Sequence, residues 1–136
     1  MMLFVPVLAS AQPAGSYKEF YPDGRLKAIK HEGIFNGCHM PVSTDTLFYS
    51  SGKIEATIFY DNRKSLTDEG CHQGWTIETK HFFYKNGFTK AISKTRHMYE
   101  GSDCNCGEWR WYNTKGKMIR LKKYSSCTSQ APCTEP

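Results

Sequence analysis

Apolar and polar residues alternate one for one along much of this chain, the pattern of strands with one face turned inward. The cleanest run is Ile54-Glu55-Ala56-Thr57-Ile58-Phe59-Tyr60. A flat strand there would place Ile54, Ala56, Ile58 and Tyr60 on one face and Glu55 and Thr57 on the other. No window of roughly 11 residues or more carries a helical period. Each alternating run is entered through a recurring phrase of two aromatics, a few turn residues and a glycine. The copies read Phe20-Tyr21-Pro22-Asp23-Gly24, Phe48-Tyr49-Ser50-Ser51-Gly52, Phe83-Tyr84-Lys85-Asn86-Gly87 and Trp111-Tyr112-Asn113-Thr114-Lys115-Gly116. The glycines stand 28, 35 and 29 residues apart, a repeat spacing. Glycine supplies the positive φ that a tight hairpin needs, and Asn86-Gly87 is the strongest such signal. Pro22 presets φ for the first turn.

Four residues after the glycine stands an alanine in three copies, Ala28, Ala56 and Ala91, and Arg120 in the fourth. A small residue at a fixed place implies close approach of a neighbouring layer. The fourth copy, with a turn read as one residue longer, is the atypical unit expected at the end of a repeat array. The pattern therefore predicts an all-β fold. Tandem antiparallel β-hairpin repeats form one elongated twisted sheet.

Composition agrees. Eight Tyr, eight Phe and three Trp in 136 residues suit strands packed through aromatic and β-branched side chains. The chain divides into three parts. Residues 1–11 read as a signal peptide, an uncharged apolar run closed by Ala9-Ser10-Ala11. The missing positive charge leaves open a start upstream of Met1. Residues 12–124 form the repeat domain and residues 125–136 a cysteine-containing tail. No other stretch nears the ~20 apolar residues of a membrane span. The expected location is the periplasm or the exterior.

Net charge is +5, with Lys and Arg spread along the strands rather than collected in a block. This is the pattern of a solvated strand face, and no nucleic-acid-binding motif accompanies it. Six cysteines in an exported chain point to disulfides: Cys38, Cys71, Cys104, Cys106, Cys127 and Cys133. Stacked hairpins would gather them along one sheet edge. The expected pairing is Cys38 with Cys71, and Cys104 and Cys106 with Cys127 and Cys133. Sequence alone does not choose among the possible connectivities.

The aromatic-Tyr-x-x-Gly-Lys phrase resembles the MORN repeat variant of bacterial YwqK-like antitoxin proteins. The best match is Tyr99-Glu100-Gly101 followed by Gly107-Glu108-Trp109-Arg110-Trp111-Tyr112 and Gly116. Partial copies are Gly74-Trp75 ahead of Phe83-Tyr84, and Glu32-Gly33 to Gly37 ahead of Phe48-Tyr49. The resemblance covers roughly residues 17 to 124. It implies antiparallel hairpins in an elongated sheet and no catalytic residues. The links are longer than the family pattern and carry cysteines that it does not require.

Gly37-Cys38-His39 and Gly70-Cys71-His72, with Cys104-Asn105-Cys106, could offer thiolates and imidazoles to zinc or copper(I). None of the spacings is a standard zinc pattern, and in an oxidising compartment these cysteines pair instead. No metal or cofactor is therefore expected, and a metal or redox site is the lesser alternative. Ser43, Ser50, Ser51, Ser65 and Ser93 lack a nucleophile-elbow setting. His31, His81 and His97 fall on or beside strands, and nothing prefers one pair among the thirteen carboxylates. The expected function is non-catalytic binding of a protein or cell-envelope partner through the sheet surface, with an antitoxin or immunity role as the narrower alternative. Trp109, Arg110, Trp111 and Tyr112 are the binding candidates, being rich in the residue types that favour recognition. An open sheet also has two edge strands, and the sequence does not decide whether copies meet along them.

Overall fold

The computed structural model describes residues 12–63, 74–98 and 103–128. Among them lie ten strands and no helix: β1 (Gln12–Phe20), β2 (Leu26–Phe35), β3 (Cys38–Pro41), β4 (Ser43–Phe48), β5 (Ile54–Arg63), β6 (Trp75–Phe83), β7 (Thr89–Met98), β8 (Cys104–Asn105), β9 (Glu108–Tyr112) and β10 (Met118–Lys123). The order β1-β2-β4-β5-β6-β7-β9-β10 makes one antiparallel sheet in which chain neighbours are sheet neighbours. The short β3 and β8 pair with the far ends of β2 and β7. The signal-peptide reading of residues 1–11 lies outside the described residues.

All four hairpins turn alike. In each, the glycine N–H donates to the carbonyl three residues before it: Gly24 to Tyr21, Gly52 to Tyr49, Gly87 to Tyr84 and Gly116 to Asn113, at 2.9–3.0 Å. Only the glycine has a positive φ, between 84° and 91°. This is a type I turn closed by a glycine bulge rather than the two-residue mirror-image turn that Asn86-Gly87 suggests. The fourth turn has the same length as the others. Its aromatic pair sits one place earlier, so Tyr112 occupies the position of Phe20, Phe48 and Phe83, and Asn113 that of the tyrosines. Asn113 Oδ1 accepts the Lys115 and Lys117 N–H groups and caps its own turn.

Register is uniform across the sheet. Ala28 pairs with Leu47, Ala56 with Phe82 and Ala91 with Trp111 across the junctions between hairpins. Within the hairpins Glu19 pairs with Ala28, Leu47 with Ala56, Phe82 with Ala91, and Trp111 with Arg120. One row therefore runs Glu19, Ala28, Leu47, Ala56, Phe82, Ala91, Trp111, Arg120 across a single face. A second bulge precedes the alanine position in every hairpin. It separates Ile54, opposite Phe48, from Ala56, opposite Leu47. Adjacent residues of β4 face opposite ways, so Ile54 and Ala56 do too. The simple alternation read from sequence fails there because the bulge takes up one residue.

Among the described residues no second layer packs on the alanines. Tyr21, Tyr49 and Tyr84 each reach across the second strand of their own hairpin to the next. Their hydroxyls donate to the carbonyls of Phe48, Phe83 and Tyr112 at 2.5, 2.6 and 2.8 Å. A phenol ring can cross a strand only over a small side chain, and Ala28 and Ala56 are 1 % and 2 % exposed beneath the crossing. Lys27 and Lys90, at the bulges, lie over the rings of Tyr21 and Tyr84. The ladder ends at Asn113, the fourth turn, where the equivalent position carries no phenol.

The two outer junctions share a wider irregularity. Between the pairs Ile29–Thr46 and Glu32–Pro41, two residues of β2 face four from Val42 to Asp45. Between Ile92–Arg110 and Thr95–Asn105, two residues of β7 face four from Cys106 to Trp109. Val42 N–H donates to His31 O in the first, and Cys106 N–H to Lys94 O in the second. Ser43 and Gly107 take the matching left-handed φ of 61° and 66°. Val42 and Cys106 are both buried, and Cys106 joins Trp75, Ile77, Cys127 and Met98 in the main apolar cluster.

Candidate functional site

The row containing the alanines marks one side of the sheet, the tyrosine face. The opposite, open face begins at the turns with four homologous cross-strand pairs: Phe20–Leu26, Phe48–Ile54, Phe83–Thr89 and Tyr112–Met118. Shallow grooves join these pairs between neighbouring hairpins, one along Leu26 and Phe48 and the next along Ile54 and Phe83. Phe59 and Leu121 extend the apolar surface up the strands. Phe20 is 58 % exposed and Phe59 50 %, with Ile54, Met118 and Leu121 between 43 % and 47 %. His81 stacks on Phe83 at 4.2 Å, and burial lowers its imidazole pKa, which favours the neutral ring. Arg25, Lys53, Lys85, Lys115 and Lys117 rim the turn end, with Asp23 the acid among them.

The four sequence-predicted binding residues divide between the two faces. Trp111 points to the tyrosine face, where Arg120 stacks over it at 4.6 Å. Trp109 packs against Trp111 and Tyr124 on the same side, and its indole N–H donates to Lys94 O across the bulge. Tyr112 belongs to the open-face row. Arg110 is exposed on that face and held by Glu108 at 2.7 Å. Trp109 thus has a structural task, and Tyr112 and Arg110 are the two that meet the apolar row.

At the end of the sheet away from the turns lies a polar cluster. An open depression of about 360 Å³ is lined by Met40, Pro41, Tyr60, Thr76, Glu78, His97 and Met98. Register sets Tyr60 beside Glu78 and Glu78 beside Thr95, with His97 one same-face step further along β7. His97 Nε2 lies 2.7 Å from Glu78 Oε2, close but out of line for a hydrogen bond, and Nδ1 lies 3.0 Å from Asp103 Oδ2. Lys80 adds a second cation 3.1 Å from Glu78. Contact with Glu78 raises the His97 pKa, burial opposes the rise and Asp103 adds to it. Glu78 is lowered, first by His97 and then by Lys80, against a burial effect of opposite sign. Tyr60 is pushed up by burial and by its 2.9 Å bond to Asp45. Each imidazole nitrogen lies within ion-pair distance of a carboxylate, so the group acts as a charged clamp between β6, β7 and the segment after β7.

The clamp has a definite pH signature. A raised histidine pKa contributes stability that is complete below the ordinary value near ~6.5 and lost as pH rises through the raised value. A lowered glutamate pKa contributes stability present above ~4.5 and lost as pH falls through the lowered value. Wild type should exceed His97→Gln by roughly 0.5–1 kcal/mol near pH 6, and this gap should close by about pH 9. Thermal unfolding of both proteins across that range checks it, and a gap independent of pH would refute the charged clamp.

Cys106 and Cys127 form a disulfide, fastening the chain after β10 to the second wide bulge. Tyr124 N–H donates to Gly107 O and Gly107 N–H to Ser125 O beside it. Cys38 and Cys104 are also disulfide-bonded. Cys71, Cys133 and the second Gly-Cys-His lie outside the described residues. Among the described residues no group of three or more His, Cys, Asp or Glu is placed to hold a metal ion. No helix there is long and apolar enough to cross a membrane.

Comparison with protein-family models, curated proteins and solved structures gives no match. The buried Asp45 and the Glu78–His97–Asp103 group carry no local sequence signal. Their partners come from separate strands, and only register brings them together.

Proposed function

We propose that this chain is an exported, non-catalytic binding protein that holds a protein partner against the open face of its sheet. The observation that carries the reading is the uncovered apolar row of Phe20, Ile54, Phe59, Met118 and Leu121 on a hydrogen-bonded sheet. Five of the nine exposed large apolar side chains among the described residues lie on this face, against Tyr17 and Ile34 on the other, and such a gathering with a polar rim marks an interaction site more often than an idle surface. The basic turn edge favours a partner that is acidic around an apolar centre. The Cys106–Cys127 disulfide is compatible with an oxidising compartment and supports export to the periplasm or exterior.

The MORN-variant resemblance supports a narrower form, in which the partner is a toxin masked by the sheet. A toxin encoded beside this chain would favour that form over a structural or adhesive envelope role. Immobilised wild-type protein is expected to retain a partner from the matching envelope or culture extract. The triple variant Phe20→Ser, Ile54→Ser, Phe59→Ser should bind that partner at least ~10-fold more weakly, the loss of about 1.4 kcal/mol or more. Lys30→Ala, on the other face, should bind as wild type. Equal retention by the triple variant would overturn the assignment of the face.

A further inference from the structure

The row of cross-strand partners that organises the sheet begins with an acid and ends with a base. Glu19 opens it on β1 and Arg120 closes it on β10, where the internal copies have apolar residues. Among the described residues β1 pairs only with β2, and β10 only with β9, so within them each leaves one edge of backbone donors and acceptors unpaired. Among the described residues none covers either edge.

β10 also presents the same geometry as the strands that already accept a following hairpin. In β2, β5 and β7 a bulge precedes the alanine position, and that position pairs with the residue just before the open-face aromatic of the next hairpin: Leu47 before Phe48, Phe82 before Phe83 and Trp111 before Tyr112. The bulge of β10 falls between Met118 and Arg120, in the matching place. A further first strand added in this register would set its residue before the aromatic pair opposite Arg120. On β1 that residue is Glu19.

We infer that a second copy of this chain adds its β1 to β10 in the register of the internal junctions, so that the repeat array continues from one molecule into the next. Arg120 then faces Glu19 of the second copy. One same-face step further, Lys122 faces the second copy's Tyr17, a ring already 42 % exposed. Inside one chain Arg120 rests over Trp111 and Glu19 bonds Lys30 at 3.0 Å, so both side chains are already held near the row. A pairing of two β10 strands is poorer. Two β10 strands would bring Arg120, Lys122 and Lys123 against their own kind, and like charges directly opposite are destabilising.

The contact is heterologous: every added copy leaves one free β1 and one free β10. The sheet twist rotates successive copies about the direction in which they stack, which gives an open helical assembly rather than a closed ring.

Sedimentation of the mature, oxidised protein over a concentration series tests the inference. Wild type should self-associate, its mean mass rising with concentration past that of a dimer. Glu19→Arg alone and Arg120→Glu alone should each weaken association at least ~10-fold, because each sets like charges opposite each other. An equimolar mixture of the two variants should associate again, since each supplies the charge that the other's edge needs. Far-ultraviolet circular dichroism would establish that both variants are folded. A wild type that stays monomeric throughout, or variants that associate like wild type, or a mixture no better than its components, would each overturn it.

Discussion

Replacing Asp45 by alanine is expected to destabilise the protein by about 2–4 kcal/mol, a large loss for one side chain. Asp45 is 4 % exposed and sits where β2 and the β3–β4 segment cannot pair directly. Its Oδ1 accepts the His31 backbone N–H at 2.9 Å and its Oδ2 the Tyr60 hydroxyl at 2.9 Å. The carboxylate thus replaces a ladder bond that the bulge removes and ties that bulge to β5. Without it, one half-buried backbone donor and one half-buried phenol lose their partners, at about 1–3 kcal/mol each where water cannot reach and less where it can. Asp45→Asn keeps an oxygen for His31 and an amide donor that Tyr60 can accept, so it should recover more than half of the loss. Urea unfolding of the two variants, with amide exchange at His31, separates these outcomes. If Asn is as damaging as Ala, charge rather than hydrogen bonding holds the bulge, and the carboxylate is not a substitute for a ladder bond.

The hairpins were legible because each carries its own local instruction. A glycine that must take a positive φ, preceded by turn residues and followed by alternation, describes a hairpin before any tertiary contact is considered. The repeated alanine was legible as a constraint but not in its meaning. Its partner is a tyrosine whose hydroxyl bonds a backbone carbonyl one hairpin away, and carbonyls leave no mark in a sequence. The wide bulges were invisible for a related reason. Ser43-Thr44-Asp45 reads as an ordinary polar stretch, and nothing in it says that two residues of β2 will oppose four. The same geometry recurs at Cys106–Trp109 with different side chains. There an indole N–H bonds the opposing carbonyl of Lys94, where the first bulge uses a carboxylate on the opposing N–H of His31. Conformation repeats while chemistry does not, so the two sites look unrelated in sequence. Aromatic density marked Trp109 to Tyr112 as a surface, and alternation then divided those residues between the faces.

The second large effect lies at the other bulge. Converting both Cys106 and Cys127 to alanine should cost about 3 kcal/mol, from the loop entropy that a crosslink over a sequence separation of 21 removes from the unfolded chain. Both sulfurs belong to the apolar cluster with Trp75 and Ile77, so their loss also opens space beside those side chains. The double variant is the informative one, because a single change leaves a thiol free to exchange with the remaining disulfides. Damage should be uneven. The segment Tyr124–Cys127 is held to Gly107 by two backbone bonds and to Cys106 by this crosslink, so it should lose protection first. The turn-end row around Phe20, Ile54 and Phe59 lies in hairpins that the crosslink does not touch, and the partner binding proposed there should survive at temperatures where the variant is still folded. Denaturant unfolding gives the total loss, and hydrogen exchange its distribution. A loss below about 1 kcal/mol would mean that the backbone bonds to Gly107 already confine the segment after β10 and that the crosslink adds little. Uniform loss of protection across all four hairpins would show that the sheet unfolds as a single unit, so that a strain at one end is felt at the exposed apolar row on the other.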